Sequence, residues 1–200
     1  TVELAIADAS KDINNGRFER AVSTLRNVTE TEHRAYFQVQ ALIGRCLYQI
    51  ALQAKAEDQK PKAIEGFQKA TQQMEKALAD LEKRKEEEKK KGRVFAAARE
   101  ATYVEFSHYY AALAYRELLE LVAEGEKGGA RKKAIDHFRD ASNDPWQNAS
   151  IGTGAMSLGI PLLIEAKEIQ EARSWFAKLE EKVGGTNPRA LVSPAYALYT

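Results

Sequence analysis

The sequence predicts an all-α chain, and three observations carry that prediction. Only five prolines fall in 200 residues, apolar side chains recur three and four positions apart, and strand-like alternation is absent. The chain also repeats itself: KAIEGFQKA, from Lys62 to Ala70, returns as KAIDHFRDA, from Lys133 to Ala141. With 44% apolar residues the chain can bury a core, either as one domain or as a run of stacked small units.

Breakers set the elements in order. A first helix ends at Asn14-Asn15-Gly16, and a second follows through RFERAVSTL to the Thr29–Thr31 region. The third runs from there to Lys60-Pro61. The fourth carries Ile64, Phe67, Thr71, Met74, Leu78 and Leu81 at steps of three and four, a heptad seam. Its continuation, LEKRKEEEKKKGR, has no apolar residue after Leu81, offers Glu86/Lys90 and Glu87/Lys91 at i, i+4, and reads as a solvated tip reversing at Gly92. The returning segment, VFAAAREATYVEFSHYYAALAYRELLELV, is apolar on more than one face and is expected to lie centrally as the best-buried helix. A break at Gly125–Gly129 precedes the helix with KAIDHFRDA, and Asn143-Asp144-Pro145 ends it. IGTGAMSLGI opens a seventh helix whose glycines suit close packing. A break near Lys167 starts an eighth, and one at Gly184-Gly185 through Pro188 leaves PRALVSPAYALYT, for about nine helices.

Bulk properties narrow the partners. Thirty basic residues against 29 acidic ones give a formal charge of +1, which removes any overall attraction to nucleic acid or an anionic membrane. Nucleic acid is not expected, and the basic tip lacks the interleaved aromatics that stack bases. No apolar run approaches the roughly 18 residues that cross a bilayer, so no membrane insertion is expected. Cys46 is the single cysteine and closes no intramolecular disulfide. The opening TVELAIADAS has neither a methionine nor a signal pattern, and residues 1–200 are expected to be one soluble domain cut from a longer protein.

Four helices share a further pattern: Ala21/Leu25/Val28, Ala63/Phe67/Ala70, Ala134/Phe138/Ala141 and Ala172/Phe176/Leu179. At i, i+4 and i+7 these fall on one face, where a small alanine lets a neighbouring helix approach and the larger side chain fills the gap. This A-x3-[FL]-x2-[AVL] spacing resembles the second helix of tetratricopeptide repeats, and NNGRFERAVSTL resembles that family's turn and helix start. Ile43-Gly44 with Leu47, Phe106-Ser107 with Tyr103 and Tyr110, and Leu158-Gly159 with Leu162 resemble its first helix. The marker alanines are 42, 71 and 38 residues apart against a family period of about 34, so the middle interval holds two elongated helices. The resemblance implies a right-handed TPR-like helical solenoid of about four helix pairs plus a C-terminal helix, with an elongated central hairpin. It also implies a concave groove that takes a protein or peptide partner.

Candidate chemistry is sparse. Glu30/His33 and Glu105/His108 each place a carboxylate and an imidazole on one helical face, as helical di-metal sites require. Glu30 also suits a helix start, and His108 also suits an interface among Tyr103, Phe106, Tyr109 and Tyr110. Cys46 lies mid-helix without a local base and reads as a small buried hydrophobe. No P-loop or nucleophile elbow is present, and the two glycosylation sequons at Asn27 and Asn148 are assigned no role. The expectation is therefore a non-enzymatic interaction or scaffolding module with no cofactor, metal or catalytic residue. The alternatives are a helical metal-site enzyme and an accessory domain of an enzyme whose catalytic part lies elsewhere.

The resemblance also supplies the groove. With Gly44 at the family's small position in the first helix, the concave positions fall on Gln38, Ala41, Arg45 and Tyr48; with Ser107 there, His108 joins them. The binding candidates are Gln38, Arg45, Tyr48 and His108, with Arg45 and Tyr48 gripping a partner carboxylate. Leu191, Val192, Tyr196, Leu198 and Tyr199 make the C-terminal segment apolar, and self-association or further repeats are expected there.

Overall fold

The computed structural model describes residues 1–92, 98–143, 148–183 and 191–199, and every regular element among them is helical. In order they are α1 (Val2–Asn14), α2 (Phe18–Arg26), α3 (Tyr36–Ala56), α4 (Lys60–Lys90), α5 (Ala98–Leu121), α6 (Glu124–Ala141), α7 (Ala149–Glu165), α8 (Ile169–Val183) and α9 (Val192–Tyr199). The expected elongated hairpin is present: α4 has 31 residues and α5 has 24. The breaks at Asp144-Pro145 and at 184–188 lie outside the described residues. Among the described residues no helix is long and apolar enough to cross a membrane.

Three of the turns are built alike. Gly16, Asp58 and Lys167 have left-handed φ values of 71°, 57° and 65°. Their N–H groups donate to Ile13, Lys55 and Ile164, and the next N–H in each case, of Arg17, Gln59 or Glu168, reaches back five residues at 2.8 Å. This paired 6→1 and 5→2 bonding closes the preceding helix and satisfies carbonyls that the helix end leaves unbonded. In each case the marker alanine, Ala21, Ala63 or Ala172, follows five residues after the left-handed residue. One turn geometry therefore sets one docking register three times.

Two expected boundaries move. The Gly125–Gly129 stretch is not a break: α6 starts at Glu124, and the reversal falls on Val122 and the extended Ala123. Three glycines at about 1 kcal/mol each weaken the local helix, but Ala134, Ile135 and Phe138 are buried further along α6, and Glu124 and Glu126 favour its N-terminus. Glu30 does not start a helix, because α3 begins only at Tyr36, and Glu30 stays exposed in the connection.

Packing follows an alternating rule. Each of α3, α5 and α7 packs on four helices: α3 on α1, α2, α4 and α5; α5 on α3, α4, α6 and α7; α7 on α5, α6, α8 and α9. The backbones of the even-numbered helices closely approach only their sequence neighbours. As expected, α5 is central, but it is not the best-buried helix. Eight of the 17 residues of α7 and nine of the 21 of α3 are buried, a larger share than in α5, whose tyrosines keep part of their rings at the surface.

The marker residues make the core. Ala63, Phe67, Ala70, Ala134, Phe138 and Ala141 are fully buried, as are Ala21, Leu25, Ala172 and Leu179. Val28 and Phe176 are half-buried, and in α8 the neighbouring Trp175 is buried as well. Within the heptad seam, Phe67, Thr71, Met74 and Leu81 are buried while Ile64 and Leu78 are only partly covered. Ala70 and Ala77 join the stripe because α4 is flanked by both α3 and α5. Beyond Leu81 the helix is mostly exposed, and its ion pairs close at i, i+3, Lys85 with Glu82 and Lys91 with Glu88. Gly92, just past the end of α4, has a left-handed φ of 69°. At the other end α9 packs on α7 and α8 and buries Pro194, yet leaves Val192 and Tyr196 exposed.

Candidate functional site

Where α3 meets α5, an arginine lies on an aromatic floor. The Arg45 guanidinium carbon stands 5.9 Å from the Phe106 ring centre and 5.8 Å from that of Tyr110. The two rings are themselves 4.6 Å apart, and Tyr103 adjoins Phe106 at 6.0 Å. The spacing 103, 106, 110 puts all three on the face of α5 turned to α3. Arg45 Nε is buried without a hydrogen-bond partner, and among the described residues no carboxylate pairs with this guanidinium.

Several other part-buried cations are neutralised internally. Lys55 bonds Glu117 at 2.6 Å and also reaches Glu120, Arg131 bonds Glu165, and Arg139 bonds Glu171 through two nitrogens. Arg45 has only ring faces, which hold the planar cation by cation–π attraction and leave its N–H fork without an anion.

The four predicted binding residues do not share one surface. Gln38 is half-buried on α3, two helical turns before Arg45 on the same side. Tyr48 belongs to the core: it is 6% exposed, with its ring 5.8 Å from Phe67 and 5.6 Å from Tyr110. Burial pushes its hydroxyl pKa well up. Tyr48 therefore braces the floor instead of lining the groove, because a phenol fills the gap among α3, α4 and α5. His108 is on the other side of α5 from Phe106 and Tyr110, facing α6. The floor residues the sequence reasoning left out of the site are Phe106 and Tyr110; their signal was the aromatic spacing in YVEFSHYY.

His108 joins a second, separate cluster. Its Nδ1 lies 2.9 Å from His137 Nδ1 and 3.5 Å from Asp140 Oδ2. On the far side of His137, Nε2 is 3.3 Å from Glu75 Oε1, which also accepts from Tyr115 at 2.9 Å and Lys133 at 3.1 Å. The His137 bond, with Lys133 and Tyr115, holds the Glu75 carboxyl down to about 2 despite partial burial. Burial and the neighbouring His137 push His108 down to about 4. Beside the cluster an open groove of about 810 Å³ runs between α4 and α6, floored by Tyr115, Leu118 and Val122.

The carboxylate–imidazole pairs of the sequence come apart in space. Glu105 Oε2 accepts from the backbone N–H of Asn148 at 2.9 Å, at the start of α7, while His108 turns to His137. His33 Nε2 is 3.2 Å from Glu3, and Glu30 stays in the loop. Among the described residues no three or more His, Cys, Asp or Glu side chains form a group able to hold a metal. Cys46 is fully buried, and desolvation pushes its thiol up to about 12, so little thiolate forms near neutral pH. No family model, curated protein or solved structure matches this chain.

Proposed function

We propose that the chain is a non-enzymatic protein-interaction module, a right-handed TPR-like solenoid of four helix pairs plus α9 that holds a partner peptide or helix over the α3–α5 seam. The alternating packing of α3, α5 and α7 and the three equivalent turns favour that arrangement. So do Gly44 and Gly159, each of which admits a large side chain of the helix that follows it, Met74 or Trp175. The observation that carries the binding surface is Arg45, an uncompensated guanidinium on Phe106 and Tyr110. A partner carboxylate completes its fork while apolar partner side chains cover the exposed ring edges, a combination enriched at binding hot spots. Val192 and Tyr196, exposed on α9, extend the reading to self-association or a further helix at that end.

Selection of a random-sequence peptide library on the purified chain tests it. Enriched peptides are expected to carry an acidic residue and to lose at least about tenfold in affinity, near 1.4 kcal/mol, against Arg45→Ala, with helical content unchanged. Tyr48 is left alone because its removal opens the core. Failure to enrich any peptide, or enriched peptides that bind Arg45→Ala equally well, overturns the assignment of this surface.

A further inference from the structure

The α4–α6 groove is bridged by one side chain. Those two helices do not pack on one another, and Glu75 of α4 reaches Lys133 and His137 of α6. Tyr115 of α5 stacks on the His137 ring with centres 5.8 Å apart and donates to the same carboxylate oxygen. The bridge then continues to His108 of α5.

Protons in this chain are fixed by elementary donor counting. An ionised Glu75 only accepts, so His137 Nε2 carries the hydrogen that points at it. A neutral His137 then has a bare Nδ1, which accepts from His108 Nδ1–H. Charged and titratable groups around the pair are Glu75 from α4, Tyr115 from α5, and Lys133, Asp136, Arg139 and Asp140 from α6. Among the described residues no charged group of α3 or α7 is within bonding distance of either ring.

We propose that His108 and His137 form a one-proton tie, which binds α6 to α4 through Glu75 near neutrality and releases the groove walls in acid. One added proton is accommodated: His137 becomes the Nδ1–H donor, His108 changes tautomer to accept, and the Glu75 and Asp140 carboxylates balance the charge. A second proton is not. It leaves two N–H groups facing each other across 2.9 Å with no lone pair between them, so the bond breaks and two imidazolium rings repel. His137 then loses the position from which it holds Glu75. His108 sets the threshold, because burial and the neighbouring His137 oppose its charge.

Two measurements on the full chain test the tie. Long-range proton–nitrogen NMR at neutral pH is expected to show His108 as the Nδ1–H tautomer and His137 as the Nε2–H tautomer. The reverse assignment overturns the proposal without any variant. Spin labels on exposed Lys76→Cys and Lys132→Cys then report the α4–α6 distance, with buried Cys46 left unlabelled. The distance is expected to lengthen and broaden as pH falls from neutral to about 4, with the far-ultraviolet dichroism retained. The same labels in His108→Asn are expected to hold their neutral distance, because the Asn amide donates or accepts as His137 requires and never charges. An invariant distance in the parent chain, or equal opening in His108→Asn, rules the tie out.

Discussion

Gly44 of α3 and Met74 of α4 meet with no room for a side chain between them: a Cβ at position 44 would stand 2.5 Å from Met74 Cγ. Met74 is fully buried, so its side chain has nowhere to retreat. Gly44→Ala improves helix propensity by about 1 kcal/mol, yet the overpacking it forces costs typically about 1–3 kcal/mol. A net loss is expected, read as a lower urea midpoint at unchanged slope. A midpoint that stays or rises contradicts the close approach.

The opposite sign is expected at Gly128, which lies inside α6 with nothing within 4 Å of an added Cβ. Gly128→Ala should raise stability by about 0.5–1 kcal/mol through helix propensity alone. Thermal unfolding checks it, and a lower melting temperature would place an unseen contact there.

Phe138 fills the interior with zero exposure, against Tyr109 at 6.2 Å between ring centres. Phe138→Ala should cost about 3–5 kcal/mol by leaving a cavity, while Phe176→Ala, at a half-buried position, should cost distinctly less. Equal losses in denaturant unfolding would argue that the four marker faces are buried alike.

Acid should weaken the fold through His108. Its pKa falls from 6.5 in the unfolded chain to about 4 in the folded one, so between those values the unfolded chain binds the proton first. The stabilisation is present in full above 6.5 and is lost as pH falls toward 4. Glu75, lowered to about 2, adds a loss only below its ordinary carboxyl range. Urea unfolding across the upper window should show a decline of at most roughly 3 kcal/mol, which His108→Asn flattens. A parent chain whose stability is level across that window would contradict it.

Cys46 should be silent. With its thiol fully buried and its pKa raised to about 12, a disulfide reagent at mildly alkaline pH should label it only as fast as the chain opens. Labelling at the rate of a free thiol without denaturant would show that the α3 interior is accessible.

The helices and their inward faces were legible in the chain because both are local. Apolar residues three and four apart identify a face whatever lies opposite, and Ala63/Phe67/Ala70 and Ala134/Phe138/Ala141 are fully buried where that spacing put them. The start of α6 was not legible, since glycine in its first turns normally marks a break and the packing of Phe138 and Ala134 overrides that preference. The site was legible only in part. Arg45 and the aromatic run around Tyr110 are visible in the sequence, but nothing local says that one lies on the other.

Sequence by itself determined an all-helical chain, the long charged hairpin tip, the turn at Gly92 and the four marker faces, because hydrogen bonds and periodicity within a helix depend on near neighbours. Tertiary structure alone decided which way each face turned. A helix rotates by about 100° per residue, so Phe106 and His108, two positions apart, point to opposite sides of α5, one toward Arg45 and the other toward His137. The Glu75–His137 bridge joins residues 62 positions apart. It exists because α5 holds α4 and α6 on either side of it, a distance that no local pattern encodes.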